Sequence, residues 1–203
     1  MKIICIGRNY VEHAVELNNE IPTDPVFFLK PDTAILPADR AFYLPDFSKD
    51  IHHEIELVIR ITKEGKNILP EFSHRYYDQM TVGLDFTARD VQQRQKEKGL
   101  PWEPAKAFDH SAPVGTFIDI ADLPDKNKIH FRLYKNGTIV QDADSTLMIH
   151  TVGAIISFVS TYITLRKGDL IFTGTPKGVS RIKPGDVLEG ELEGKKVLRV
   201  EVK

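Results

Sequence analysis

The chain has 203 residues, enough to bury a sizeable core in one domain. Its 27 basic and 29 acidic residues leave a formal charge of −2, and no long basic run is present, so nucleic acid is not expected as a partner. The single cysteine, Cys5, excludes an internal disulfide framework and fits a reducing, cytoplasmic setting.

Residues 2–6 are an apolar run that reads as a strand, and a chain opening directly on it is not expected to carry a signal peptide. Tyr10, Val11, Ala14 and Leu17 recur at helical spacing, predicting a short helix over 8–17. The polar run Asn18-Asn19-Glu20 and Pro22 predict mobile flanks for it. Residues 25–31 form a strand bracketed by prolines, and 54–62 and 81–86 read as two more. An exposed helix is expected over 88–98, closed by Gly99 and Pro101, with Thr87 as a candidate cap. Asn136-Gly137 between 129–135 and 138–141 is a strong hairpin signal. Helical periodicity runs over 145–162; His150, Gly153, Ser157 and Ser160 interrupt its apolar stretch, favouring a buried helix over a membrane span. Strands follow at 169–173, 187–192 and 196–202, the last two joined through Glu193-Gly194. The sum is a mixed α/β, mostly β, single domain over 1–203.

The acidic residues carry the most information. Glu54 and Glu56 sit two apart, so on a strand they project to one face, and Asp85 ends a second apolar strand. Carboxylates gathered on an inward face need a compensating cation, and oxygen ligands suit a hard divalent ion. The same alternation also fits the solvated face of a half-buried sheet. His13 and Glu16, three apart, share one helical face and suit acid–base work, or else an ordinary polar surface. His52-His53-Glu54 begins like a zinc-protease motif, but position 57 is Leu, which removes that reading. A histidine ligand or exposed loop histidines remain. Gln92 can face the cleft from the helix after Asp85, and Arg89 either joins it or forms a structural ion pair. Lys106 is a lone lysine in an apolar stretch that can complement an anion. Gly174-Thr175-Pro176-Lys177-Gly178 offers close backbone approach and a hydroxyl to a ligand, but lacks phosphate-loop spacing. Gly-x-Ser-x-Gly, Gly-x-Gly-x-x-Gly and Cys-x-x-Cys are all missing, so serine-hydrolase, dinucleotide and zinc-ribbon chemistry lose support.

In their order these pieces resemble the fumarylacetoacetate hydrolase family, and within it the short acylpyruvase and oxaloacetate-decarboxylase-like branch. The resemblance rests on Gly7-Arg8-Asn9-Tyr10 with His13 and Glu16, Lys30-Pro31, His53-Glu54-Ile55-Glu56-Leu57, Asp85 with Thr87-Ala88-Arg89-Asp90 and Gln92, Lys106 with Phe108-Asp109, and Gly174-Thr175-Pro176 with Gly178-Val179. Ser180 departs from it, where the family run commonly ends in Gly. The resemblance implies a β roll around a metal site, like the C-terminal domain of the family, usually as a homodimer. It implies Mg2+ or Mn2+ on Glu54, Glu56 and Asp85. It implies catalysis by His13, Glu16 and Lys106 under a segment that orders over substrate, and substrate binding by Arg8, Gln92, Gly174 and Thr175. One divalent cation against three carboxylates leaves a charge that Lys106 can balance. The expected reaction is hydrolysis of a C–C bond in acylpyruvates to pyruvate and a carboxylic acid, with oxaloacetate decarboxylation as a second activity. An isomerase or hydratase on a related 2-oxo acid in aromatic-compound catabolism is the alternative, and a metal-stabilised binding protein the non-enzymatic one. The chain opening directly on this unit speaks against fumarylacetoacetate itself as substrate.

Overall fold

The computed structural model describes residues 1–17 and 20–203, so Asn18 and Asn19, where mobile flanks are expected, lie outside the described residues. The chain opens with strand β1 (Ile3–Gly7), a short helix α1 (Val11–Glu16) and strands β2 (Val26–Lys30), β3 (Ile35–Leu36), β4 (Ile51–His53), β5 (Ile55–Ile61), β6 (Tyr77–Leu84) and β7 (Thr87–Ala88). Helices α2 (Arg89–Glu97) and α3 (Glu103–Lys106) precede β8 (Ala112–Pro113), β9 (Ile118–Asp119), β10 (His130–Lys135) and β11 (Thr138–Asp144). Helix α4 (Val152–Tyr162) leads to β12 (Leu170–Phe172), β13 (Ser180–Arg181), β14 (Val187–Leu192) and β15 (Lys195–Glu201). Strands dominate, as expected for a mostly β member of the mixed class. Among the described residues no helix is long and apolar enough to cross a membrane.

A six-stranded sheet, ordered β2-β1-β12-β5-β6-β9, is parallel only at β1–β12 and antiparallel elsewhere. Its central strands bury both faces, which is why they read as continuous apolar runs. Ile4, Ile6, Leu57, Ile59 and Val82 face the main core; Ile3, Cys5, Val58, Leu170 and Phe172 face a smaller one. A four-stranded antiparallel sheet, β11-β10-β14-β15, closes the main core with Phe131, Leu133, Leu188 and Leu198. The sheets approach closely at Gly190, where a Cβ would meet Val82 at 2.7 Å. Both hairpins of this sheet turn through two left-handed residues, Asn136-Gly137 and Glu193-Gly194, the geometry that matches strand twist. Two small sheets, β13-β4-β7 and β3-β8, complete the roll.

Three expected helices change shape. The one over 145–162 starts only at Val152, because Asn9 takes the preceding backbone: its O and Oδ1 accept the N–H groups of Ile149 and His150, and Thr151 caps the helix. The one over 8–17 shrinks to α1, since Arg8 is left-handed at φ 59° and Tyr10 is extended. The helix after Asp85 is half buried, not exposed, with Val91, Gln92 and Gln95 inward. Thr87 does not cap it; Ala88 takes that position, and the Thr87 hydroxyl bonds Lys106 instead. The strand expected over 54–62 breaks at Glu54, between β4 and β5.

Candidate metal centre and cleft

The small-core face of the six-stranded sheet turns polar at one end. On β5, Glu56 shares that face with Val58, and Glu54 precedes it by two residues. Glu56 pairs with Gly83 on β6, and the Asp85 N–H bonds the Glu54 carbonyl at 2.9 Å, which brings the third carboxylate alongside. A side chain at 83 would collide with Phe172 and Val58, at 2.7 and 2.9 Å. Glu54, Glu56 and Asp85 each place an oxygen within 4.8 Å of the others, and none is more than 4% exposed. The solvated-face reading of Glu54 and Glu56 is thereby excluded.

Three cations press on these acids. Lys106, brought in by α3, donates to Glu54 Oε2 at 2.7 Å, Asp85 Oδ2 at 2.5 Å and Thr87 Oγ1 at 2.6 Å, so all three of its N–H groups are spent. Arg89 bonds Glu54 Oε1 at 2.5 Å and Gln92 Oε1 at 2.8 Å, joining both roles expected for it. Lys30, fully buried on β2, spends its donors on the Lys106 carbonyl and on Ser111 O and Oγ. Its ammonium still lies 2.8 Å from Asp85 Oδ1, a coulombic contact off the hydrogen-bond direction. Among the described residues, Asp85 Oδ1 is consequently a buried carboxylate oxygen without a hydrogen-bond donor. That orphaned oxygen, within a set of hard oxygen donors, fits a divalent cation.

The electrostatics split the two glutamates. Burial pushes Glu54 up, but Lys106 and Arg89 outweigh it and hold the carboxyl well below its usual range. Burial and the charges of Asp85 and Glu54 push Glu56 well above its usual value. Burial would lower Lys106, yet Asp85 and Glu54 overcome this and keep it firmly protonated. Lys106 alone does not balance the site, as the sequence suggested: three acids already face three cations.

Around this centre the cleft is lined by Arg8, His13, Gln92, Lys106 and Thr175, together with Phe28, Lys96 and Trp102. His13 Nδ1 lies 3.1 Å from Glu16 Oε2, and Glu16 Oε1 accepts the Gly178 N–H at 3.0 Å. Gly174 is placed differently from expectation. Its N–H goes to Glu56 Oε2 at 2.7 Å, and its left-handed backbone packs on Asn9, where a Cβ would stand 2.6 Å from the Asn9 Cβ. It serves the carboxylate and leaves the ligand-facing position to Thr175.

Several supporting residues escaped the sequence reading. His53 is neither a ligand nor exposed: burial pushes its imidazole down to about 4, and it bonds Gln141 Oε1 at 3.0 Å and Ser180 Oγ at 2.8 Å. Gln141 also accepts the Ile55 N–H, and donates to Thr175 Oγ1 and Pro176 O at 2.9 Å each. All four of its amide positions are filled, and the Thr175 hydroxyl hydrogen is left to the cleft. A lysine inside the apolar β2 run was the available signal for Lys30; nothing local marks Gln141.

The comparisons agree with this geometry. The family model described as fumarylacetoacetate (FAA) hydrolase C-terminal matches residues 2–203. The oxaloacetate tautomerase FAHD1, mitochondrial, of Mus musculus is 41% identical, covering 99% of this chain and 91% of that protein. The oxaloacetate decarboxylase, mitochondrial, of Dictyostelium discoideum is 41% identical over 95% of this chain and 89% of its own length. The crystal structure of fumarylpyruvate hydrolase from Pseudomonas aeruginosa in complex with Mn2+ and pyruvate superposes with a TM-score of 0.94 at 36% identity, covering all of this chain and 89% of that one. The chain belongs to the fumarylacetoacetate hydrolase family, matching the model of its C-terminal domain.

Proposed function

We propose that this chain is a metal-dependent enzyme that hydrolyses the C–C bond of acylpyruvates, with oxaloacetate decarboxylation as a second activity. The carrying observation is the buried triad of carboxylates, with its orphaned Asp85 oxygen, sharing one cleft with His13, which Glu16 holds from behind. Glu54, Glu56 and Asp85 would hold Mg2+ or Mn2+. When bound, such an ion supplies chelation of the 2-oxo acid head and stabilises negative charge on it.

The protein groups do the rest. Glu16 holds the proton on His13 Nδ1, which leaves Nε2 as the base. His13 takes a proton from water, whose oxygen adds to the distal acyl carbon. The C3–C4 bond breaks, its electron pair goes to C3 of the departing pyruvate, and the proton returns there. The products are pyruvate and a carboxylic acid. Lys106, kept charged by Asp85 and Glu54, steadies the anionic head. The Gln92 amide, its oxygen turned to Arg89, and the Thr175 hydroxyl, its oxygen turned to Gln141, present hydrogens to the substrate carboxylate.

The curated relatives favour a second reading, in which the same groups only move a proton or release CO2 at C3 of oxaloacetate. The test is pyruvate release from acetylpyruvate, fumarylpyruvate and oxaloacetate, with Mg2+, with Mn2+ and after chelation. Metal-dependent cleavage of the 2,4-dioxo acids is expected. Keto–enol conversion or decarboxylation of oxaloacetate with no 2,4-dioxo acid cleaved would replace the hydrolase by the second reading.

A further inference from the structure

The Thr175 hydroxyl is the cleft end of a path that runs to the surface. Ser180 on β13 pairs with His53 on β4, and its Oγ lies 2.8 Å from His53 Nε2. Behind it, the Lys135 ammonium at the end of β10 donates to Ser180 Oγ at 2.9 Å and to the Arg181 carbonyl at 3.1 Å. In the other direction His53 Nδ1 meets Gln141 Oε1, and the Gln141 nitrogen meets Thr175 Oγ1. His53, Gln141 and Thr175 are all buried, so bulk water does not stand in for a partner lost along the middle of the path.

Groups with a single role at its edges fix every hydrogen on this path. Lys135 has only hydrogens to give, so Ser180 Oγ accepts from it. The Ile55 N–H can only donate and the Pro176 carbonyl can only accept, so the Gln141 oxygen faces β5 and its nitrogen faces the 174–178 loop. His53 Nδ1 therefore meets an oxygen and carries the ring hydrogen. Burial, with the Lys135 charge behind it, keeps the ring neutral, so Nε2 is bare and takes the Ser180 hydroxyl hydrogen. Gln141 donates to Thr175 Oγ1, whose own hydrogen is left for the cleft. Lys135, Ser180, His53, Gln141 and Thr175 thus all donate in one direction, inward. Aligned donors polarise one another, which strengthens the last of them.

We propose that Ser180 is a positioning residue: through His53 and Gln141 it keeps the Thr175 hydroxyl hydrogen aimed at the carboxylate of a bound 2-oxo acid. This rests on the proposed 2-oxo acid reading. Ser180 lies outside the cleft lining and acts only through its neighbours. It is also the residue at which this chain departs from the family run. Without its hydroxyl neither form of His53 is satisfied. With the hydrogen kept on Nδ1, Nε2 loses its donor. With the hydrogen moved to Nε2, two bare acceptors, Nδ1 and Gln141 Oε1, face each other and the amide is driven off. Thr175 then loses the donor that holds its oxygen, and its hydrogen is free to turn from the cleft.

The test reads the ring and the ligand separately, on the full chain loaded with Mg2+. Proton–nitrogen correlation spectra of the histidine-labelled protein at neutral pH, assigned by the signal missing from His53→Gln, should show a hydrogen-bearing Nδ1 and a bare Nε2 for His53. Calorimetric titration with oxalate then reads Thr175. Thr175→Val should weaken oxalate about tenfold or more, and Ser180→Ala about fivefold, while Ser180→Thr, which keeps the hydroxyl, should stay within about twofold of the wild type. In the Thr175→Val background Ser180→Ala should add less than about twofold, because the group it positions is gone. A hydrogen on Nε2 in the wild type overturns the proposal whatever the variants do. So does oxalate binding by Ser180→Ala within about twofold of the wild type, or a Ser180→Ala effect of the same size with and without Thr175. Any of these leaves the 2-oxo acid reading standing. If the wild type binds neither oxalate nor pyruvate, that reading falls and takes the positioning role with it.

Discussion

The carboxylate cluster and His13 face the same cleft, but the first is built into the six-stranded sheet, whereas His13 rides with its partner Glu16 on a helix of six residues. Glu54, Glu56 and Asp85 are tied by strand register and by three cations, of which Lys30 and Lys106 are buried. Helix α1 is too short to be stable alone. Tyr10 and Ala14 bury one side of it while Val15 stays 65% exposed, and its outer ties to Gly178 and Lys177 are open to solvent. Rigid strands suit groups that must hold a fixed charge geometry. A lightly anchored helix suits groups that meet a substrate after it arrives.

That contrast can be broken at either end. Lys30→Met removes a fully buried cation beside Asp85, and chemical denaturation should show a loss of about 3–5 kcal/mol, as when one partner of a buried pair is deleted. A loss under about 1 kcal/mol would mean that the sheet does not depend on this charge. His13→Ala should do the reverse. Stability should stay within about 1 kcal/mol of the wild type, while acylpyruvate cleavage drops on the order of a hundred- to ten-thousand-fold and oxalate still binds. Cleavage at the wild-type rate would remove the pair from the mechanism.

The support beneath the cluster has its own signature in pH. Burial holds the His53 imidazole at about 4 in the folded chain, against 6.5 when free. As pH falls below 6.5 the unfolded chain gains a proton that the folded chain refuses until about 4, so stability is lost through that window. Between pH 7.5 and 4.5 the metal-free wild type should lose roughly 2–3 kcal/mol more than His53→Gln, read from urea midpoints. Equal losses would show that His53 does not carry this dependence. The smallest effect belongs to the outer face of α1. Lys177 and Glu12 pair at 3.1 Å but are both well exposed, so Lys177→Ala should move the unfolding midpoint by less than about 0.5 kcal/mol. A larger shift would mark α1 as more firmly docked than its exposure indicates.

What the sequence made legible follows from the range of the interaction involved. The central strands, the hairpin at Asn136-Gly137 and the shared face of Glu54 and Glu56 are set by neighbours in the chain, and each was readable as such. The start of α4 was not, because Asn9, more than a hundred residues away, captures the backbone ahead of it. The charge balance was misjudged for the same reason: Lys30 and Arg89 reach the acids only after the sheet has formed. Gly174 looked like a ligand contact because a flexible loop residue is ambiguous until its N–H partner, Glu56, is known.

Gln141 connects strand β11 to the start of β5 and to the loop carrying Thr175, with every position of its amide already taken. An apolar exchange at 53, 141 or 175 breaks that pattern, since each leaves a buried donor or acceptor stranded in its neighbour. The three positions therefore form one hydrogen-bonded unit. A lineage that alters any of them is expected to alter the others with it, so that their joint identity travels through descent while the surface around them drifts.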